Sequence, residues 1–139
     1  MAGIGTRLLT LEVDGDARTA EVSVAKFTSG EADSDFVTFE QAAQGGGRQY
    51  NFEGTMVQDG VADSLWDLFF TAPGSEVEVT IAPYGNATPS PSQPHFTATC
   101  VVKEPDGDMI GGEADVSTTA RMVAEVVWPC LAKPVRVTA

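Results

Sequence analysis

Residues 48–83, RQYNFEGTMVQDGVADSLWDLFFTAPGSEVEVTIAP, change their hydrophobic period twice. Apolar and polar side chains alternate over 48–57, a period of two that is typical of a half-buried strand. Apolar side chains then recur at helical spacing, which predicts one short helix at about residues 60–71. Alternation resumes at Val77, Val79 and Ile81, with Glu76 and Glu78 on the other face, which predicts a second strand.

The predicted helix has recognisable ends. Asp59 is a candidate N-cap, because its carboxylate can accept hydrogen bonds from the first free backbone N–H groups. Pro73 ends the helix and Gly74 turns the chain. Its apolar stripe includes the core candidates Leu65, Trp66, Leu68 and Phe69. A single helix cannot bury so many aromatic side chains alone, so we expect it to pack on a sheet.

Strand patterns continue on both sides of this stretch. Alternating residues predict strands near 9–13 and 20–27, which we expect to form a hairpin around Asp14-Gly15-Asp16. Further strands are predicted at 96–102, 120–128 and 135–137. Repeated strands with turn signals and a lone helix predict a mainly β protein, an antiparallel β-sandwich or barrel. At 139 residues the chain suits a single domain, spanning residues 1–139.

Residues 28–47 interrupt the strand pattern with an acidic, glycine-rich segment. Loops of this length are uncommon in compact domains and are usually functional or disordered. The segment contains a short apolar island, Phe36, Val37 and Phe39, followed by Glu40. This island either folds back onto its own domain or docks on a neighbouring copy of the chain.

The balance of charges excludes one class of function. Twenty acidic side chains against eight basic ones give a net charge of −12, and the excess is spread along the chain. A protein that grips phosphate backbones needs a cluster of Lys and Arg, which this sequence lacks. A spread acidic surface also keeps a protein soluble. The charge is therefore explained either by solubility alone or by a protein that meets nucleic acid without holding it.

Composition limits the compartment. No apolar run reaches the length of a membrane span, and residues 1–13 lack the apolar core of a secretory signal. We therefore expect the chain to mature in a reducing compartment. In such a compartment Cys100 and Cys130 are expected to be buried or half-buried free thiols.

No catalytic or metal-binding pattern emerges. His95 is the single histidine and has no nucleophile or acid at motif spacing, which favours a structural or exposed role. The carboxylates at 106–115 resemble a calcium loop only faintly, because the glycine is misplaced for an EF-hand. We predict that the protein is not an enzyme and uses no cofactor or metal.

The order of these segments carries a resemblance to a known family. The long strand, the LWDLFF helix and the PGSEVEVTIAPYG strand are followed by PHFTATCVV, GGEAD and AEVVWPCLAKPVRVTA. This arrangement resembles the major tail (tail tube) proteins of long-tailed bacteriophages, especially those of actinobacterial hosts. The resemblance covers roughly residues 8–139.

The resemblance implies a structural virion protein of the phage tail that assembles into stacked hexameric rings around a hollow lumen for DNA. It implies tape-measure, tail-terminator and baseplate proteins as partners. It implies no contact with a membrane. The loop at 28–47 would be the docking arm, and residues 1–7 and 130–139 would be further arms. Glu53, Glu76 and Glu78 are candidates for the acidic lumen. The alternatives are a capsid decoration or tail-terminator protein, or a small ligand-binding or enzymatic β-barrel.

Overall fold

The structure is a computed structural model that describes residues 3–31, 38–43 and 48–139. Its strands are β1 Thr10–Val13, β2 Asp16–Ala17, β3 Val22–Glu31, β4 Arg48–Val57, β5 Glu76–Ala82, β6 His95–Val101, β7 Val123–Pro129 and β8 Val135–Val137. Its helices are α1 Phe39–Ala43 and α2 Leu65–Thr71, with a 3₁₀ turn at Thr19–Glu21.

The strands form two antiparallel sheets. One has five strands in the order β2-β1-β5-β6-β8, and the other has three in the order β3-β4-β7. Two antiparallel sheets that enclose a shared core are the arrangement of a β-sandwich. The mainly β fold with antiparallel sheets, predicted from the alternation of apolar residues, is therefore confirmed.

One hydrophobic core joins both sheets and helix α2. Trp128 and Phe52, from neighbouring strands of the three-stranded sheet, are fully buried with ring centroids 5.5 Å apart. The other buried members are Leu11, Val13, Val77, Val79, Ile81, Ala98 and Cys100 from the five-stranded sheet, Met56, Ala124 and Val126 from the three-stranded sheet, Leu65, Trp66 and Phe69 from α2, and Val102. Strand β5 has the predicted faces, since Val77, Val79 and Ile81 are buried while Glu76 and Glu78 are exposed.

Helix α2 begins later than the sequence predicts. Its N-cap is Ser64, whose hydroxyl accepts from the Asp67 N–H, so the prediction that Asp59 caps the helix is wrong. Asp59 instead accepts from the Val61 N–H in a tight turn. Asp63 has a left-handed φ of 68°, which helical backbone does not allow, and Val61 is left 66% exposed. The helical spacing of Val61 is therefore coincidental.

The predicted hairpin of the first two long strands is also wrong. Strand β1 turns at Asp14-Gly15 into the two-residue β2, and β3 pairs with β4 in the other sheet. A bulge between Val22 and Val24 changes which side chains of β3 face inward. Val24 is therefore exposed, while Phe27 packs edge-on to Phe52.

The connecting segment predicted at 28–47 begins four residues later than the sequence predicts. Strand β3 continues to Glu31, which is the register partner of Arg48, so residues 28–31 belong to the sheet. The connection between β3 and β4 is residues 32–47. Phe36 and Val37, two members of the predicted apolar island, lie outside the described residues.

Candidate assembly surfaces

The three-stranded sheet ends in two long edges. Within the described residues its outer strands are β3, which has ten residues, and β7, which has seven. The five-stranded sheet instead ends in β2, with two residues, and β8, with three. A long edge presents a row of backbone N–H and C=O groups that can pair with another chain, whereas a short edge is a common protection against such pairing. The two sheets therefore differ sharply in their capacity to continue into a second copy.

Both long edges carry apolar and charged side chains on the outer face. Val24 on β3 and Val123 and Val127 on β7 are 39–46% exposed. Lys26 on β3 and Glu125 on β7 lie on this same face, at opposite edges of the sheet. The two edges are therefore complementary, because each offers valine and they carry opposite charges.

Glu53 lies at the centre of this outer face. It belongs to β4, opposite Lys26 on one side and Val127 on the other, and is half-buried. Beside β7 a groove combines Glu125 with the loop carboxylates Glu104, Asp106 and Asp108. Five acidic side chains therefore lie on this face or beside β7, together with Lys26 and, near Asp108 and Val123, Arg121. Among the described residues no group of three or more His, Cys, Asp or Glu side chains is placed to hold a metal ion.

Glu76 and Glu78 belong to the other side of the molecule. They lie on the outer face of the five-stranded sheet, where Thr99 is the register partner of Glu78. Glu12, on neighbouring β1, is exposed on that face as well. The structure therefore does not bring the three lumen candidates together: Glu53 faces one side of the sandwich, and Glu76 and Glu78 face the other.

The short helix α1 holds an aromatic side chain in solvent. Phe39 is 97% exposed, and none of the α1 residues is buried. Glu40 also lies in α1 and is exposed. Thr38 and Gln41 cap the helix reciprocally: the Gln41 N–H donates to Thr38 Oγ1 at 3.1 Å, and the Thr38 N–H donates to Gln41 Oε1 at 3.0 Å. This is a capping box, whose T-x-x-Q signature was present in the sequence and was missed.

Helix α2 is fixed to the sandwich by polar contacts at its start. The Leu65 N–H donates to Glu21 Oε1 at 2.9 Å, and Arg18 Nη1 donates to both Glu21 Oε2 and the Asp63 carbonyl. Trp66 Nε1 donates to the Met109 carbonyl at 2.8 Å, which fastens the loop after β6 to the helix. Leu65, Trp66 and Phe69 are buried, and Leu68 is half-buried against the core. Glu21 was missed because no local pattern connects it with a helix start so distant in sequence.

The two terminal segments predicted as arms are placed differently. Residues 130–139 are held on their own domain, since β8 pairs with β6 and the Leu131 N–H donates to the Thr99 carbonyl. Residues 3–9 belong to neither sheet. Ile4 and Leu8 in that segment are 55% and 67% exposed. The described N-terminal segment therefore presents exposed apolar side chains, and the C-terminal one contributes β8 to the five-stranded sheet.

The single histidine has a structural contact. His95 Nε2 lies 2.9 Å from the Asn86 carbonyl oxygen, in the turn that precedes β6. The Asn86 side chain in turn donates to the carbonyls of Thr88 and Gln93. The His95 contact therefore belongs to a connection that is stabilised by its own hydrogen bonds.

No protein-family model matches the chain, and no curated protein matches it. None of the helices within the described ranges is long and apolar enough to cross a membrane.

Proposed function

We propose that this protein is the subunit of a self-assembling tube, of the kind that forms the tail tube of long-tailed bacteriophages. On this proposal its sandwich is a tail tube-like fold. The observation that carries the proposal is the pair of long edges on the three-stranded sheet, β3 and β7. Edges of this length are an aggregation hazard in a monomer and become an interface in an assembly.

Ring closure follows from pairing unlike edges. If β7 of one subunit pairs with β3 of the next, the contact is head-to-tail and repeats by rotation until a ring closes. Lys26 and Glu125 then meet across the interface as opposite charges, and the exposed valines Val24, Val123 and Val127 lose their contact with water. In a hexameric ring, the three-stranded sheets of successive subunits form one continuous barrel.

The barrel's inner surface is then the outer face of the three-stranded sheet. Glu53 lines the lumen, and Glu104, Asp106 and Asp108 border it beside β7. Fixed negative charge repels the phosphates of DNA, so DNA passes through without binding. On this proposal Glu76 and Glu78, which the sequence made lumen candidates together with Glu53, lie on the outside of the tube.

Stacking of the rings uses the segments that have free apolar groups. Phe39 on α1 is the strongest candidate, because burying a fully exposed phenylalanine stabilises a contact by about 2 kcal/mol. Ile4 and Leu8 add apolar surface on a second segment. In a virion these contacts would join subunits along the tail, with tape-measure, tail-terminator and baseplate proteins as partners. The subunit would be made in the host cytoplasm.

Electron microscopy of the purified protein tests the proposal. Negatively stained samples over a concentration series, with light scattering on the same samples, should show rings or hollow tubes of uniform width. A protein that stays monomeric at every concentration and binds purified capsids would contradict the proposal. That result would favour a capsid decoration protein.

A further inference from the structure

Cys100 and Cys130 form a close pair of thiols at the junction of the two sheets. Their Sγ atoms are 3.2 Å apart, and both side chains are free thiols. The two residues are opposite each other in an isolated antiparallel bridge. Because the pair is 30 positions apart in sequence, only the fold brings it together.

The backbone geometry at this bridge suits a covalent bond. The flanking hydrogen bond runs from the Leu131 N–H to the Thr99 carbonyl, which makes Cys100 and Cys130 a non-hydrogen-bonded pair. In such pairs the Cα atoms are about 4.5 Å apart and the side chains approach most closely. That separation is within the range that disulfides span.

The position of the pair gives a bond there a structural consequence. Cys100 lies in β6 of the five-stranded sheet. Cys130 follows β7 directly, and its N–H donates to the Tyr50 carbonyl in β4 of the three-stranded sheet. A bond between the two sulfurs would therefore connect the two sheets of the sandwich.

We propose that Cys100 and Cys130 are an oxidation site, at which a small-molecule disulfide converts the two thiols into an intramolecular disulfide that cross-links the sheets. The sulfur of Cys130 attacks one sulfur of the oxidant, and one reduced thiol leaves. Cys100 then attacks the Cys130 sulfur of the mixed disulfide and displaces the second reduced thiol. The two protons of the protein thiols are carried away on the two released thiols, and the oxidant takes up the two electrons.

The order of attack follows from exposure. Cys130 is half-buried and Cys100 is fully buried, so an external disulfide reaches Cys130 first. Burial also raises the pKa of both thiols, which lowers the thiolate fraction at neutral pH. Oxidation is therefore slow, and the pair stays reduced in a cytoplasm where thiols are kept reduced.

This inference goes beyond tube assembly and does not depend on it. A chain that folds in the cytoplasm in the reduced form would gain the cross-link after release into an oxidising environment. The cross-link would then stabilise the sandwich and change its surface only at half-buried Cys130, because Cys100 is fully buried.

Oxidised glutathione tests the proposal. The reduced full chain, incubated with oxidised glutathione at mildly alkaline pH, should lose two hydrogens in intact mass and yield a Cys100–Cys130 cross-linked peptide. Because the bond closes a long loop of the unfolded chain, the unfolding midpoint should rise by on the order of 10 °C and return after reduction.

Single variants separate the two steps. Cys100→Ser should stop at a stable glutathione adduct on Cys130, whereas Cys130→Ser should resist glutathione because only the buried thiol remains. Disulfide-linked dimers, a wild-type protein that stops at the glutathione adduct, or a midpoint that does not rise after cross-linking would each overturn the proposal. Should the Cys100 variant not fold, the Cys130 variant and the wild-type mass still decide between these outcomes.

Discussion

Ser64 determines where helix α2 begins. Its hydroxyl accepts from the Asp67 N–H and donates to the Asp59 carbonyl, so one buried side chain satisfies two backbone groups. Ser64→Ala removes both bonds, and we expect the free energy of unfolding to fall by about 1–2 kcal/mol. Urea denaturation of the monomer measures this change.

Asp59→Ala is the matched control for that variant. Asp59 was the N-cap predicted from the sequence, but its side chain accepts from the Val61 N–H in an exposed turn. Its removal should lower the free energy of unfolding by roughly 0.5 kcal/mol or less. A larger loss for Asp59→Ala than for Ser64→Ala would contradict the helix start described above.

At the scale of elements, the connection between β3 and β4 can be removed without breaking the hairpin. Glu31 and Arg48 are register partners, so replacing residues 32–47 with Asn-Gly allows a two-residue turn to close the same strands. We expect the monomer to be stabilised by about 1–2 kcal/mol, because a shorter loop costs less entropy to close. The same variant should lose tube formation, because α1 and Phe39 are gone.

A point substitution separates the aromatic contact from the rest of that segment. Phe39→Ala should leave the free energy of unfolding within about 0.5 kcal/mol of wild type while weakening assembly, since Phe39 is almost fully exposed in the monomer. Val116→Ala, another fully exposed apolar residue, is the control and should leave assembly unchanged. Normal tubes from the loop-replacement variant, seen by electron microscopy, would refute the role of the segment in assembly.

The sequence predicts some elements well because their signal is local. The alternation at β5 and the Leu65–Phe69 part of the helix follow directly from hydrophobic period. The partners of β3 were not predictable in the same way. Its bulge at Val22–Val24 changes the inward face, and the choice of β4 over β1 depends on contacts distant in sequence. Nor does alternation reveal that Glu53 and Glu78 occupy different sheets.

At the scale of the whole molecule, the proposed tube predicts different effects for glutamates on the two outer faces. Glu53→Lys places positive charge in the lumen, whereas Glu78→Lys places it on the outer wall. Tubes assembled with short duplex DNA should retain DNA in both variants, more weakly as salt rises. Only the DNA in Glu53→Lys tubes should be protected from nuclease.

The thermal midpoints of both variants control for misfolding. This control is needed because Glu53→Lys places a second positive charge beside Lys26, which should lower the free energy of unfolding by roughly 0.5 kcal/mol. If the DNA were protected from nuclease in the Glu78→Lys tubes instead, the five-stranded sheet would line the lumen and the assignment of the two faces would be reversed. Equal nuclease sensitivity in both variants would remove the support for a lumen lined by either face.

The most direct test of assembly through the β3 and β7 edges is a charge-swap cycle. The critical concentration for tube formation would be measured by light scattering for wild type, Lys26→Glu, Glu125→Lys and the double variant, with Glu76→Lys as a control on the other face. We expect each single edge reversal to raise the critical concentration about tenfold. The double variant should bring the critical concentration most of the way back to the wild-type value, and Glu76→Lys should change it little. Single variants that assemble like wild type, or a double variant worse than both, would contradict pairing of β3 with β7.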